Sequence, residues 1–321
     1  MDILSKTKAE KAGAVGKVKN RQTWGRDLKM NWQLYLIAIP IILFFAVFNY
    51  APMFGLVMAF EDYKPVRGIL GSEWVGFQNF IDFFTAPNFW QIIRNTFVIS
   101  GLGLVVGYPL SIIFALLINE IKLKWFKKGI QTISYMPYFV SVIVICGMII
   151  DFCSTNGVIT TLLSNLGIVE RQNLLGNPNY FWLINLISDE WQNLGYSSIV
   201  FIAAITNVSG ELHEAAAIDG ANRLQRVWHV TLPGIIPMIV TMLILKCGML
   251  MTVGFDKILN LYNPSIYSTA DVISTYTYRM GIAGAQYGYS TAVGLFNGII
   301  NLVLLLAANK ISAKVADQSL F

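Results

Sequence analysis

The segment Glu214-Ala215-Ala216-Ala217-Ile218-Asp219-Gly220-Ala221, continued through residues 222–230 to Thr231-Leu232-Pro233, decides how this chain is read. It is a polar, helix-prone connector between two hydrophobic stretches. Ala and Glu favour helix, Gly220 permits a bend between two short helices, and Pro233 can open the following helix at its first turn. The expected product is an L-shaped knob that suits docking and carries no bond chemistry.

The rest of the chain places that knob on a membrane protein. Hydrophobic residues make up 55% of it, charged residues only 13%, and the mean hydropathy is +0.58. A soluble fold of this composition would lack polar cover for its surface. A helix needs roughly 20 apolar residues to cross a hydrocarbon layer of about 30 Å. Six windows qualify, at 31–50, 92–118, 130–152, 182–206, 235–255 and 287–308. The expectation is an all-α membrane protein with six transmembrane helices and both termini on one side.

Basic residues orient it. The side holding the N-terminal tail, the segment after the second span, the 211–233 connector and the C-terminal end carries the tail's lysines and arginines, Lys122, Lys124, Lys127, Lys128, Arg223, Arg226, Lys310 and Lys314. The opposite side carries Lys64, Arg67, Arg94, Arg171, Lys257 and Arg279. The excess marks the first side, connector included, as cytoplasmic. The N-terminal tail lacks an apolar core, so it reads as a topology anchor and not as a signal peptide.

The order Glu-Ala-Ala, Asp-Gly-Ala and Leu-Pro resembles the coupling loop of permease subunits in bacterial ATP-driven (ABC) importers. Asn49-Tyr50-Ala51-Pro52-Met53, residues 72–77 (Ser-Glu-Trp-Val-Gly-Phe), residues 131–137 (Gln-Thr-Ile-Ser-Tyr-Met-Pro) and residues 271–276 (Asp-Val-Ile-Ser-Thr-Tyr) resemble the branch that imports oligosaccharides derived from complex polysaccharides. The likeness covers most of the chain after about residue 30. It implies the type I ABC importer permease fold in a bacterial cytoplasmic membrane. Each such subunit supplies half of a pathway, next to a second, usually different, permease. Two copies of an ABC ATPase bind the ATP and Mg, and an extracytoplasmic solute-binding protein delivers the sugar. The resemblance assigns coupling to Glu214, Ala215, Ala216, Asp219, Gly220, Ala221, Val227, Trp228, Leu232 and Pro233. Val227 stands where the family usually has Phe, with aromatic Trp228 beside it.

On this reading residues 1–30 form a basic cytoplasmic tail, 31–90 the first span and an external aromatic-rich segment, 91–309 a five-helix core around the 211–233 loop, and 310–321 a second cytoplasmic tail. The aromatics of 51–90 suit the outer interface, where Trp and Tyr are favoured. The pairs Gly103/Gly107, Gly284/Gly288 and Gly294/Gly298 suggest close helix packing, and Pro109 and Pro137 suggest kinks. Cys146, Cys153 and Cys247 lack metal-ligand spacing and read as packing residues. His213 and His229 flank the loop without a ligand array that would make a zinc site.

No Gly-x-x-x-x-Gly-Lys-Ser/Thr loop occurs, and no Ser/His/Asp or Cys/His arrangement is suggested. The chain therefore reads as a transport subunit without its own ATPase site. The rivals are an ABC permease for a non-sugar solute and an ion-coupled secondary carrier, the latter needing intramembrane acids. Asp151, Asp189, Glu190 and Asp256 all fall near the outer ends of the assigned spans. Candidate pathway residues are Trp191, Asn193 and Lys246. Thirteen residues beyond Pro233, at ~1.5 Å each, place Lys246 about 20 Å along its helix, near mid-membrane, where a lysine facing lipid is costly.

Overall fold

The computed structural model describes residues 28–315, nearly all of them helical. Most of the expected N-terminal tail and the end of the C-terminal one lie outside the described residues. The chain divides into two units at Gly55/Leu56. The first is the apolar helix that starts at Trp32, part of the candidate span α1 (Trp32–Phe60). None of the residues from Trp32 to Phe45 is buried, as suits side chains that face lipid.

The second unit opens with a two-stranded antiparallel ladder, β1 (Glu61–Asp62) and β2 (Glu73–Trp74), too short to disturb an otherwise helical fold. The helices α2 (Gln78–Thr85), α3 (Phe89–Glu120), α4 (Lys124–Tyr135), α5 (Val142–Cys153), α6 (Val158–Asn165) and α7 (Pro178–Thr206) follow. Then come α8 (Gly210–Ile218), α9 (Arg223–Cys247), α10 (Phe255–Leu261), α11 (Ile273–Tyr278) and α12 (Tyr287–Val315).

Among the described residues, five stretches are long and apolar enough to cross a membrane: α1, α3, Val142–Asn165, α9 and Tyr287–Lys314. Three expected spans change. The window 130–152 is not one helix, because α4 gives way to a 3-10 turn at Met136–Phe139 and an extended Val140 before α5. Pro137 cannot donate to the ladder, so the α-helical bonding pattern stops there, although Met136 keeps helical dihedrals and the chain first becomes extended at Val140. The window 235–255 ends at Cys247, where Gly248 caps the helix and a turn follows. Asn301 of α12 holds that turn, accepting from Met251 N at 2.9 Å and donating to Thr252 Oγ1 at 3.0 Å. The window 182–206 lies in α7, a 29-residue helix that is not among the apolar candidates. Because α7 begins at Pro178, Asp189 and Glu190 fall at mid-helix and not near an outer end.

Prolines shape the spans in a regular way. Pro52, Pro109 and Pro233 each follow a π-turn, at Ala46–Tyr50, Gly103–Gly107 and Val227–Thr231 respectively. A proline within a helix has no N–H for the carbonyl four residues back, and its ring presses on that carbonyl; a widened turn relieves both. Pro233 therefore lies within a helix that already began at Arg223, instead of opening one.

The core has three parts. Phe181, Ile145, Ile149, Ile258 and Ile266 join α5, α7 and α10. Phe83, Phe89, Ile92, Tyr276 and Val293 join α2, α3, α11 and α12. Tyr108, Ala115, Phe201, Ile205 and Ile235 join α3, α7 and α9. Several aromatics expected at the outer interface are thus core: Phe83 packs edge-on against Phe89 and Phe296, with centroids 5.0 and 5.5 Å away. Cys146 and Cys153 are buried and Cys247 half-buried, as packing residues should be. Of the paired glycines, Gly107 and Gly288 have another element pressed against them, whereas Gly103, Gly294 and Gly298 face open space in this chain. Gly284 ends a π-turn outside α12, so it shares no helix face with Gly288.

Candidate functional site

The connector forms a tightly determined elbow. Ser209 accepts from Glu211 N at the start of α8. At the other end Gly220 N donates to Ala217 O and Ala221 N to Ala216 O, with Gly220 at φ +82°. These two bonds around a left-handed glycine make a Schellman stop. The next residue restarts helix at once: Asn222 accepts from Gln225 N at 2.9 Å, and Gln225 Oε1 accepts from Asn222 N at 2.8 Å. That reciprocal cap satisfies two backbone donors at the start of α9.

Glu214, Ala215, Asp219, Gly220, Trp228 and Pro233 are exposed, while Ala216, Ala221, Val227 and Leu232 are half-buried. Four large apolar side chains stand out on this polar element: Leu212 is 56% exposed, Ile218 86%, Leu224 66% and Trp228 60%. Between the two arms lies a notch of about 290 Å³ lined by Ala216, Asp219, Gly220, Gln225 and His229 among others. His229 Nδ1 lies 2.9 Å from Gln225 O, and His213 is half-buried. The Asn222/Gln225 cap was missed in the sequence, although Asn-x-x-Gln before a hydrophobic run is its local signature.

Helix α9 leads from the elbow to a second site. The 18 residues from Trp228 to Lys246 span about 27 Å at helical rise. Lys246 lines a cavity of about 480 Å³ between α3, α7, α9 and α10. Its polar wall includes Ser100, Ser111, Asn185, Asp189, Tyr196, Ser197, Lys246, Thr252 and Lys257, set among Ile99, Leu104, Phe201 and other apolar groups. Lys246 Nζ lies 5.8 Å from the centroid of the Tyr108 ring, whose hydroxyl donates to Ile239 O. Lys257 Nζ lies 3.4 Å from Asp189 Oδ1. Asn193 Nδ2 donates to the same carboxylate at 3.1 Å and to Asp189 O at 3.0 Å.

Of the three pathway candidates, then, Lys246 lines the cavity, and Asn193 braces a residue that does. Trp191 is 51% exposed and lies outside the lining. Asp189, Asn185, Tyr196 and Lys257 went unnoticed as cavity residues. Lys257 sits in a segment read as an outer loop, and only its return against α7 brings it to the wall.

Elsewhere in the chain, Asp271 is almost fully buried and holds Arg279 through two bonds, of 3.0 and 2.5 Å. That hydrogen bonding holds the guanidinium charged still more firmly than usual. Arg279 also lies over Tyr267 and Tyr276, at 4.7 and 5.6 Å from the ring centroids. Asn95 and Arg94 of α3 donate to backbone carbonyls of Ser268 and Asp271, and Trp182 Nε1 donates to Thr269 O, fixing this segment onto two helices.

Comparison with known proteins shows the family of this helical chain. Residues 107–317 match the model of the binding-protein-dependent transport system inner membrane component. The chain belongs to that family. As such it is an ABC importer permease. It is similar to the polygalacturonan/rhamnogalacturonan transport system permease protein YteP of Bacillus subtilis (strain 168), 40% identical over 90% of each chain. It is also similar to Protein LplB of the same strain, 40% identical over 93% of this chain and 94% of that one. Among solved structures, the permease resembles a chain of a bacterial ABC transporter that imports the acidic polysaccharide alginate, with a TM-score of 0.83 and 41% identity over 90% of this chain and 98% of the other. A second match, with a TM-score of 0.84 and 40% identity over 92% and 99%, is to the bacterial alginate ABC transporter in complex with an alginate pentasaccharide-bound periplasmic protein.

Proposed function

We propose that this permease forms half of the pathway by which an ATP-driven importer of the bacterial cytoplasmic membrane takes up an acidic oligosaccharide cut from a polysaccharide. The observation that carries the reading is the single helix α9, with an exposed apolar elbow at one end and a cavity lysine at the other. Movement of a protein docked on Trp228 is thereby passed toward Lys246 along one helix, through the π-turn at Val227–Thr231 and past Pro233 and Pro237. Residues 211–233 are the dock, and a separate ATPase, holding ATP and Mg, is what docks there. A second, similar permease completes the pathway, and a solute-binding protein delivers the sugar to the outer face.

Helix α7 serves as the sixth span, which returns both termini to the cytoplasmic side. It is long enough at about 43 Å, and its carboxylates are directed to partners instead of lipid. The cavity lysine without an ion pair, Lys246, together with relatives named for polygalacturonan and for alginate, supports an acidic cargo.

The test is reconstitution. With its partner permease, ATPase and binding protein in liposomes, the chain should support ATP-dependent uptake of oligogalacturonate or oligoalginate; alone it should neither hydrolyse ATP nor move sugar. Uptake by the chain alone, driven by a proton or sodium gradient, would establish a secondary carrier instead.

A further inference from the structure

Two lysines line the cavity in different electrostatic situations. The Lys257 side chain is 7% exposed, with Nζ 3.4 Å from Asp189 Oδ1 and 3.5 Å from Asn185 O. Its charge is balanced within the chain. Lys246 is exposed on the wall and, among the described residues, makes no ion pair within 4.0 Å. Glu190 is half-buried against Gly107, one residue from the Tyr108 ring that Lys246 overlies, and makes no ion pair within 4.0 Å among the described residues; its field reaches Lys246 and Lys257 alike. In the same wall Asn185 is buried, and its Oδ1 has no hydrogen-bond partner among the described residues.

We propose that Lys246 reads the carboxylate of a uronic-acid sugar in the cavity, and that Glu190 is the internal anion exchanged for it. The proposal rests on the transport reading above and deepens it by naming the group that sets charge selectivity. A lysine at membrane depth requires a counter-charge, and Glu190 supplies a loose one while the cavity holds no sugar. A substrate carboxylate brought to contact distance makes a charge-assisted bond that Glu190 does not make, whereas a neutral sugar has nothing to exchange. Specificity is then a difference between two occupants of one lysine. Lys257 is unavailable for this role because Asp189 already holds it.

The experiment uses the permease assembled with its partner permease and ATPase in nanodiscs, so that the binding protein's own selectivity does not intervene. Equilibrium binding is measured for short oligogalacturonate and oligoalginate, each against its carboxyl-reduced neutral form. Wild type should prefer the acidic form by roughly ten- to a hundredfold, the worth of a hydrogen bond to a charged group. Lys246→Met should erase that preference by weakening only acidic binding, and Lys246→Arg should keep most of it. Glu190→Gln should tighten acidic binding by removing the competitor. An unchanged preference in Lys246→Met, or equal weakening of both forms, overturns the assignment. So does failure of Lys246→Met, but not Lys246→Arg, to assemble with the partner permease, since the counter-charge would then lie on that subunit. A wild-type complex that binds acidic and neutral forms alike refutes the assignment alone; one that binds and transports neither refutes the oligosaccharide reading with it.

Discussion

The Glu190 carboxylate occupies the space that a Cβ on Gly107 would need, so α3 and α7 meet at a point where only glycine leaves room for the charge. Because the overlap is with the far end of a flexible side chain, Gly107→Ala should displace the carboxylate without unfolding the bundle. The expected loss is about 1 kcal/mol, at the low end of overpacking costs. Thermal unfolding of the single variant, of Glu190→Ala and of the double variant measures the coupling: the double variant should recover the steric part of the loss. Strict additivity would show that the two residues do not meet.

The Asp271–Arg279 pair should matter more to stability than any exposed pair. Asp271 is nearly inaccessible, so Arg279→Met leaves a buried carboxylate without its cation, a change that costs about 3 kcal/mol when allowance is made for Arg279 being partly exposed. Breaking the exposed Lys64–Asp62 pair, 3.1 Å long, should change stability by less than about 1 kcal/mol. Melting curves of Arg279→Met and Lys64→Met in the same lipid or detergent give the comparison. Equal shifts would contradict the structural role assigned to Arg279.

At the elbow, nothing lies within 4 Å of where a Gly220 Cβ would sit, so the strain of substitution there is purely conformational. With φ at +82°, Gly220→Val places a β-branched residue in a left-handed conformation at about 1–2 kcal/mol, whereas Asn tolerates that region better. Gly220→Val should therefore reach the membrane but uncouple ATP hydrolysis from uptake, and Gly220→Asn should retain most of the coupling. Wild-type transport by the Val variant would remove the elbow from the coupling path.

Trp228 is 60% exposed, so its truncation should barely change the melting temperature of the isolated permease. If it is an anchor in the ATPase cleft, Trp228→Ala should weaken ATPase association by about 2 kcal/mol, roughly thirtyfold in Kd. Titration of the purified ATPase against permease in nanodiscs reads this directly. An unchanged Kd would shift the anchor to Leu212, Ile218 or Leu224.

The sequence alone determined the membrane class, the helical fold and the elbow, because each depends on local chemistry. Apolar runs have no stable place in water whatever their neighbours, and Gly220 between Ala217 and Asn222 writes its turn into consecutive residues. Even so, the Asn222/Gln225 cap and the π-turns before Pro52, Pro109 and Pro233 were legible only as consequences of proline and Asx chemistry that a hydropathy window averages away. Lys246 was conspicuous as one charge within an apolar helix. What stood around it was not. The cavity wall joins residues 100 and 257, and the counter-charges come from a helix some sixty residues before Lys246, so only tertiary packing decided that Asp189 holds Lys257 while Glu190 lies against Gly107. Asp189 and Glu190 are adjacent in sequence, but successive residues on a helix point about 100° apart. One step along α7 therefore separates a carboxylate paired with Lys257 from one that lies against Gly107, a distinction that no linear pattern contains.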